Sequence, residues 1–200
     1  MNRLGWAILV LILLGAAAFA LMVRPAAEAP PGAPAPAPAP VPATATAAAP
    51  PPRAGLIVPV DGVARQALVD SWGDPRGGGT RGHQALDIPA PVGTPVRAAA
   101  AGTVEKLFDS TDGGRTLYIR SPDRRTVYYY AHLDGYAPGL GEGGYVAQGQ
   151  PIATVGATGD ANPQAPHLHF EVKVMGAGER WWQGREINPY PLLAGNAGRR

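Results

Sequence analysis

Cysteine is absent from the 200 residues, which excludes disulfides, a thiolate nucleophile, thiolate-ligated zinc and a cysteine-attached lipid. Charge is sparse as well. Lys, Arg, Asp and Glu make up 16% of the chain and leave a net charge of +2. The basic residues are scattered, with arginine greatly favoured over lysine, so no nucleic-acid partner is expected. Histidine is scarce at four residues, and each one sits in a context that suits a metal site.

What is present divides the chain into unequal parts. Leu4 to Val23 are uncharged and mostly apolar between Arg3 and Arg24; as a helix this run is about 30 Å long, the thickness of a bilayer core. Residues 1–24 are therefore expected to be a single-pass anchor in the inner membrane. The alternative is a signal peptide cleaved after Ala20, since Ala18-Phe19-Ala20 is a small-x-small site. From Pro25 to Pro52 the chain is almost wholly Pro and Ala, with eleven prolines in twenty-eight residues and no aromatic residue. It cannot build a core. Residues 25–55 are expected to be a semi-rigid spacer reaching up to roughly 85 Å at polyproline rise. Either export route places the folded part in the cell envelope outside the cytoplasm, periplasmic if tethered and secreted if the leader is removed.

Residues 56–193 mix apolar runs, charges and glycines normally, enough for one globular domain, and residues 194–200 read as a disordered tail. Short β-branched and aromatic runs between glycine-rich turns predict strands at Pro95–Ala98, Gly102–Phe108, Thr116–Arg120, Thr126–His132, Pro151–Val155 and His167–Val174. Asp112-Gly113-Gly114 and Ser121-Pro122-Asp123-Arg124 are turn signals, so Val104 to Ala131 reads as an antiparallel meander. No comparable helical pattern appears. The expected class is all-β, built from closely packed antiparallel sheets.

The chemistry-bearing residues fall in three blocks. In His167-Leu168-His169-Phe170-Glu171-Val172 the strand alternation points Leu168, Phe170 and Val172 inward and puts His167, His169 and Glu171 on the other face. In Gly82-His83-Gln84-Ala85-Leu86-Asp87, extended chain would part His83 and Asp87 by about 13 Å, so the backbone must bend for both to reach one ion. With His169 they supply two neutral nitrogens and a carboxylate, a set suited to one tetrahedral zinc with an open position. In Tyr128-Tyr129-Tyr130-Ala131-His132, a regular strand puts His132 on the face of Tyr128 and Tyr130. His132 and His167 are the candidates for proton transfer.

These blocks, H-x-x-x-D at His83 to Asp87, Y-x-H-L at Tyr130 to Leu133 and H-L-H-F-E at His167 to Glu171, resemble in order those of the lysostaphin-type (LytM-like) zinc metallopeptidases. The resemblance extends to Pro59-Val60-Asp61-Gly62, Ala90 to Val96, Ala101 to Val104, Val155 to Gly159 and Asn188-Pro189. It implies the duplicated hybrid motif fold and hydrolysis of peptidoglycan peptides. It also implies His83, Asp87 and His169 as ligands of one zinc per chain, His167 as general base and His132 as the histidine that orients water or steadies the transition state. Departures are Ala85 where the family has glycine, a longer stretch from Ala157 to Pro166, and a glycine-rich loop from Gly135 to Gly144.

Two other classes compete. One is a non-catalytic protein that binds peptidoglycan or activates an amidase while keeping its metal for shape. The other, a non-haem iron site, commonly has one residue between His and acid and leaves His132 and His167 without a role. A carrier-domain likeness at Val146 to Ile152 fails because no lysine stands at the turn. Glu171 is expected to support a ligand or to face solvent rather than to ligate. Trp181 and Trp182 either line a substrate groove or pack at a sheet edge.

Overall fold

The computed structural model describes residues 55–195. The expected anchor or leader, nearly all of the Pro/Ala spacer and most of the expected tail lie outside the described residues. Among the described residues, no helix is long and apolar enough to cross a membrane.

Among the described residues eleven strands run in order: β1 (Pro75–Arg76), β2 (Arg81–Gly82), β3 (Leu86–Pro89), β4 (Pro95–Arg97), β5 (Gly102–Ser110), β6 (Gly114–Arg120), β7 (Thr126–Tyr136), β8 (Tyr145–Val146), β9 (Pro151–Val155), β10 (His167–Val174) and β11 (Arg185–Ile187). A short helix, α1 (Tyr190–Ala194), follows and is ended by Gly195 in the left-handed region. Every strand pairing is antiparallel. The expected meander is β5–β6–β7, and the runs expected at Pro151–Val155 and His167–Val174 are strands over those residues. Strands β1, β2, β8 and β11 are only two or three residues long, too short for a period to show.

Apart from the β1–β2 ribbon, the described strands join one branched sheet of nine. Branching follows from length. β10 pairs with β7 along one edge, while its other edge takes β3 at His167–Phe170 and β11 at Val172–Val174. β7 is long enough to pair with β10 at one end and with β9 at the other.

Alternation along the strands builds the core. Leu86 and Ile88 of β3, Leu117 and Ile119 of β6, Tyr130 of β7, and Leu168, Phe170 and Val172 of β10 are buried together. Each such side chain contributes about 1.5–3 kcal/mol on burial. Tyr130 also accepts a 2.9 Å hydrogen bond from the Ala99 backbone N–H at its hydroxyl, which settles the one polar group that its burial would orphan. The opposite face of the same sheet carries a smaller cluster of Tyr118, Val127, Tyr129, Ala131 and Met175. His167, His169 and Glu171 project on that second face.

The tip of the β5–β6 hairpin locks the loop between β9 and β10. Asp160 N–H donates to the Asp112 carbonyl at 2.8 Å, and Arg115 N–H to Thr158 Oγ1 at 2.9 Å. This approach requires Gly159: its φ is 74°, and a Cβ there would lie 2.1 Å from the Asp112 carbonyl oxygen and 2.3 Å from the Gly114 nitrogen. Gly159→Ala is expected to destabilise the domain by about 1–3 kcal/mol or more, read as a fall of several degrees in the thermal unfolding midpoint; an unchanged midpoint would show that the two loops do not depend on their close packing.

Candidate metal centre and cleft

Cross-strand register assembles the centre. Asp87 of β3 lies directly opposite His169 of β10, and such partners hold their Cβ atoms about 4.5–5.5 Å apart. His83 arrives by the bend that its sequence spacing demanded, between the end of β2 and the start of β3. The bend is fixed by His83 N–H donating to the Asp74 carbonyl at 2.9 Å and Gly73 N–H to the His83 carbonyl at 2.7 Å. The result is an i,i+4 contact of 3.1 Å between His83 Nε2 and Asp87 Oδ1.

Three potential ligand atoms converge. His83 Nε2, Asp87 Oδ1 and His169 Nδ1 are separated by 3.1, 3.3 and 3.3 Å. Four ligands placed tetrahedrally about 2.0–2.1 Å from zinc are about 3.3–3.4 Å from one another, so this triangle has the dimensions of one face of such a site. Asp87 Oδ1 is buried without a hydrogen-bond partner, an orphan that a cation would satisfy. Both imidazoles are held from behind. His83 Nδ1 faces the Ser71 carbonyl at 2.9 Å, and His169 Nε2 faces Glu171 Oε1 at 3.0 Å. These acceptors take the outer N–H and turn the other nitrogen inward. The residues present therefore fit a zinc ion, with Glu171 hydrogen-bonded to His169.

Behind these side chains stand groups that the three sequence blocks do not single out. Arg76 Nη2 lies 2.6 Å from Asp87 Oδ2, which leaves Oδ1 as the inward oxygen. Lys173 Nζ lies 3.2 Å from Glu171 Oε2 and 3.2 Å from Glu186 Oε1, and the Asp87 backbone N–H donates to Ser71 Oγ at 3.0 Å. Lys173 follows Glu171 at i+2 on one strand face, a signal that strand alternation carries. Ser71 and Arg76 had none, because the bend that delivers them is long-range.

His132 and His167 stand beside the triangle. Their ring centroids are 5.0 Å apart, His132 lies 5.5 Å from the His169 ring, and His167 Nε2 is 3.7 Å from Asp87 Oδ1. Each is oriented through Nδ1, His132 to the Thr158 carbonyl at 2.8 Å and His167 to the Ala165 carbonyl at 3.0 Å. The expectation that His132 shares a face with Tyr128 and Tyr130 is corrected. Those two rings belong to the main core, whereas His132 lines the cleft with Tyr129 and Ala131. The cause is a β-bulge: between the pairs Leu117↔Tyr130 and Arg115↔Leu133, β7 carries one residue more than β6, and His132 sits at φ 58°. A non-glycine residue there costs about 1–3 kcal/mol and persists only where its surroundings enforce it. Here His132 N–H is held by the Gly113 carbonyl at 2.8 Å.

The open cleft has a volume of about 380 Å³. Arg76 and Arg81 stand on its β1–β2 wall, and Asp112 and Asp160 on the wall formed by the β5–β6 tip and the β9–β10 loop. Burial alone would raise the Asp87 carboxyl, but the imidazoles of His169 and His83 hold it well below the usual carboxylate range. Burial alone would lower His169; Asp87 and Glu171 overcome it and raise the ring to about 9. Burial pushes the His132 imidazole down despite the Thr158 carbonyl, and His169 and His167 push the same way.

In the metal-free protein His169 thus keeps a proton up to about pH 9, and a cation must displace it. Apparent zinc affinity is expected to rise with pH and level off above about 9, gaining up to about tenfold per unit below that; a chelator-competition titration from pH 6.5 to pH 10 measures it, and a flat profile would count against His169 as a ligand. Glu171→Gln is expected to weaken zinc binding by about 10–100-fold with the fold intact, measured by the same competition.

Known proteins share this arrangement's sequence and fold. The sequence profile of Peptidase family M23 matches residues 81–189, a stretch that runs from β2 to beyond β11 and holds all four histidines. Over 129 residues the chain is 37% identical to the L-Ala–D-Glu endopeptidase of Bacillus subtilis (strain 168), an alignment covering 62% of this chain and 38% of that protein. The catalytic domain of the antimicrobial peptidase lysostaphin from Staphylococcus simulans superposes with a TM-score of 0.52 at 28% identity, covering 64% of this chain and 92% of that one. A zinc containing peptidase from Vibrio cholerae superposes at 0.55 with 29% identity, covering 68% and 39% respectively. The chain spans 38% or less of the length of the curated relatives it matches. Because the profile takes in more than half of the sequence and the antiparallel fold agrees with it, the chain belongs to peptidase family M23.

Proposed function

We propose that this protein is a zinc-dependent endopeptidase that hydrolyses peptide cross-links of bacterial peptidoglycan, with His83, Asp87 and His169 as metal ligands and His132 and His167 as proton-transfer groups. One observation carries the reading: a ligand triangle of zinc dimensions with an orphaned carboxylate oxygen, beside two further imidazoles whose Nδ1 atoms are already committed to carbonyls. When bound, the metal supplies a Lewis acid that lowers the pKa of water and polarises an amide carbonyl. The remaining work belongs to the protein. Hydrolysis needs one proton taken from water and one delivered to the departing nitrogen. Burial keeps His132 neutral near pH 7, so its Nε2 lone pair can accept a proton, and His167 Nε2, beside Asp87, offers the second site for the transfer. Glu171, Lys173 and Arg76 keep the ligand atoms aimed.

The names of the relatives support peptidoglycan as substrate: one is an L-Ala–D-Glu endopeptidase and another is lysostaphin. The charged walls add a preference. A cleft with guanidinium groups on one wall and carboxylates on the other focuses its field on a peptide that bears charges of both signs, as stem-peptide cross-links do and glycine bridges do not. The apolar run Leu4 to Val23 and the Pro/Ala spacer support an enzyme that works outside the cytoplasm, tethered to the membrane or secreted.

His132→Ala is expected to keep one equivalent of zinc and lose about 10²–10⁴-fold in turnover, measured as muropeptide fragments released from sacculi and identified by mass. A wild-type protein that is zinc-loaded yet releases nothing would instead support a role in binding the wall or activating an amidase. Arg81→Glu is expected to raise KM for a charged stem peptide several-fold at low salt, with the difference shrinking as salt screens it. Equal cleavage of pentaglycine and stem peptides by the wild type would remove the charge argument.

A further inference from the structure

The sheet face that carries the cleft continues past it as a row of aromatic rings. From His169 the row passes to Tyr129 at 6.0 Å between centroids, then to Tyr118 at 4.6 Å and Trp181 at 4.6 Å. There it divides, to Phe108 at 5.4 Å and to Trp182 at 5.0 Å. Its inner members are accounted for by packing. Tyr118 and Tyr129 are buried, and Trp181 closes the second cluster. Its outer members are not: Phe108 is 41% exposed and Trp182 49%. Among the described residues only Tyr145 is an aromatic side chain of comparable exposure, so two of these three meet at Trp181.

The loop that presents the tryptophans is built rather than slack. Gly176 N–H donates to Glu179 Oε2 at 2.6 Å, Arg180 N–H to Gln183 Oε1 at 2.8 Å, and Gln183 N–H to the Arg180 carbonyl at 2.9 Å. Buried Arg120 ties the loop to the sheet by donating from Nη2 to the Glu179 carbonyl at 3.0 Å. Arg180 lies over the Trp182 ring, 5.3 Å from its centroid. Half-exposed flat rings, fixed in place and bordered by hydrogen-bonding groups, suit a ligand with apolar faces and polar edges. A pyranose ring has that form, with axial C–H groups on its faces and hydroxyls and amides at its rim.

We propose that Phe108 and Trp182, seated on Trp181, form a sugar-stacking subsite that holds the glycan strand while its attached peptide occupies the cleft. This rests on the peptidoglycan reading given above. Spacing supports it: the row reaches an exposed ring from His169 in four steps of 4.6–6.0 Å, and an extended peptide advances about 3.3 Å per residue, so a stem of about four to six residues covers the distance. Neither exposed ring touches the candidate ligands, so the subsite acts on substrate capture and not on the reaction.

The test uses the full zinc-loaded chain in detergent, the double variant Phe108→Ala/Trp182→Ala, and the variant Trp182→Tyr. On intact sacculi the double variant is expected to raise KM about tenfold with kcat unchanged, whereas on a cross-linked peptide freed of its sugars both constants stay at wild-type values. A β-1,4-linked N-acetylglucosamine tetramer should quench tryptophan emission in the wild type, fail to do so in the double variant, and regain most of its effect in Trp182→Tyr assayed by calorimetry. Equal losses on both substrates, or none on either, would overturn the proposal. So would a Trp182-dependent response to phosphatidylglycerol bicelles in place of the tetramer, which assigns the rings to a lipid surface, or a dimer that dissociates in the double variant, which assigns them to a second copy. A wild type that cuts neither substrate sinks the peptidase reading instead, and the tetramer titration still decides the subsite.

Discussion

Everything at the site depends on the register of β3 against β10. Asp87 faces His169 because Leu86 faces Phe170 and Ile88 faces Leu168, and those four apolar side chains are locked in the main core. A slip of one residue would bury the carboxylate and turn Leu86 and Ile88 outward. The apolar half of each strand thus fixes where the polar half can be. Ala131 opposite His169 on the other side adds to this: a small residue there leaves room into which the bulge brings His132.

Strand alternation in β10 was legible because a single strand decides it. Leu168, Phe170 and Val172 point to the core while His167, His169 and Glu171 point away, as their period of two requires. The need for a bend between His83 and Asp87 was legible for a similar reason, since chain geometry sets the extended distance. His132 was placed on the wrong face because the alternation is broken by an extra residue paired across two strands, and nothing within Tyr128 to Leu133 signals the partner's shorter count. Ser71 and Arg76 leave no such pattern: Ser71 lies in the irregular segment before β1, and Arg76 on a strand of two residues.

Electrostatics explains why the centre needs so many residues that do not ligate. A half-buried cluster of two imidazoles and a carboxylate is costly to hold without compensation. Arg76 takes one carboxylate oxygen, the Ser71 carbonyl and Glu171 each orient a ring, and Lys173 balances Glu171 and Glu186. Asp87 Oδ1 is buried without a hydrogen-bond partner and faces the two imidazoles. An unpartnered carboxylate oxygen facing two oriented imidazoles is what a cation-binding group requires. The raised His169 and depressed Asp87 express the same field in proton terms, because the pocket that attracts a cation also holds a proton when no cation is there.

An open cleft of about 380 Å³ has room for only a short piece of polymer, and its exposure to water limits what each contact inside it can contribute. For the proposed wall polymer, most of the affinity must then come from contacts beyond the reacting bond, and the sheet supplies a continuous face on which to place them. Its charged walls lie within the cleft and its exposed rings lie strands away on β5 and the loop after β10. Both sit on the one scaffold that positions the ligands, so a substrate aligned by the outer contacts arrives already oriented at the centre. Orientation of that kind lowers the entropic part of the barrier without adding to the chemistry itself.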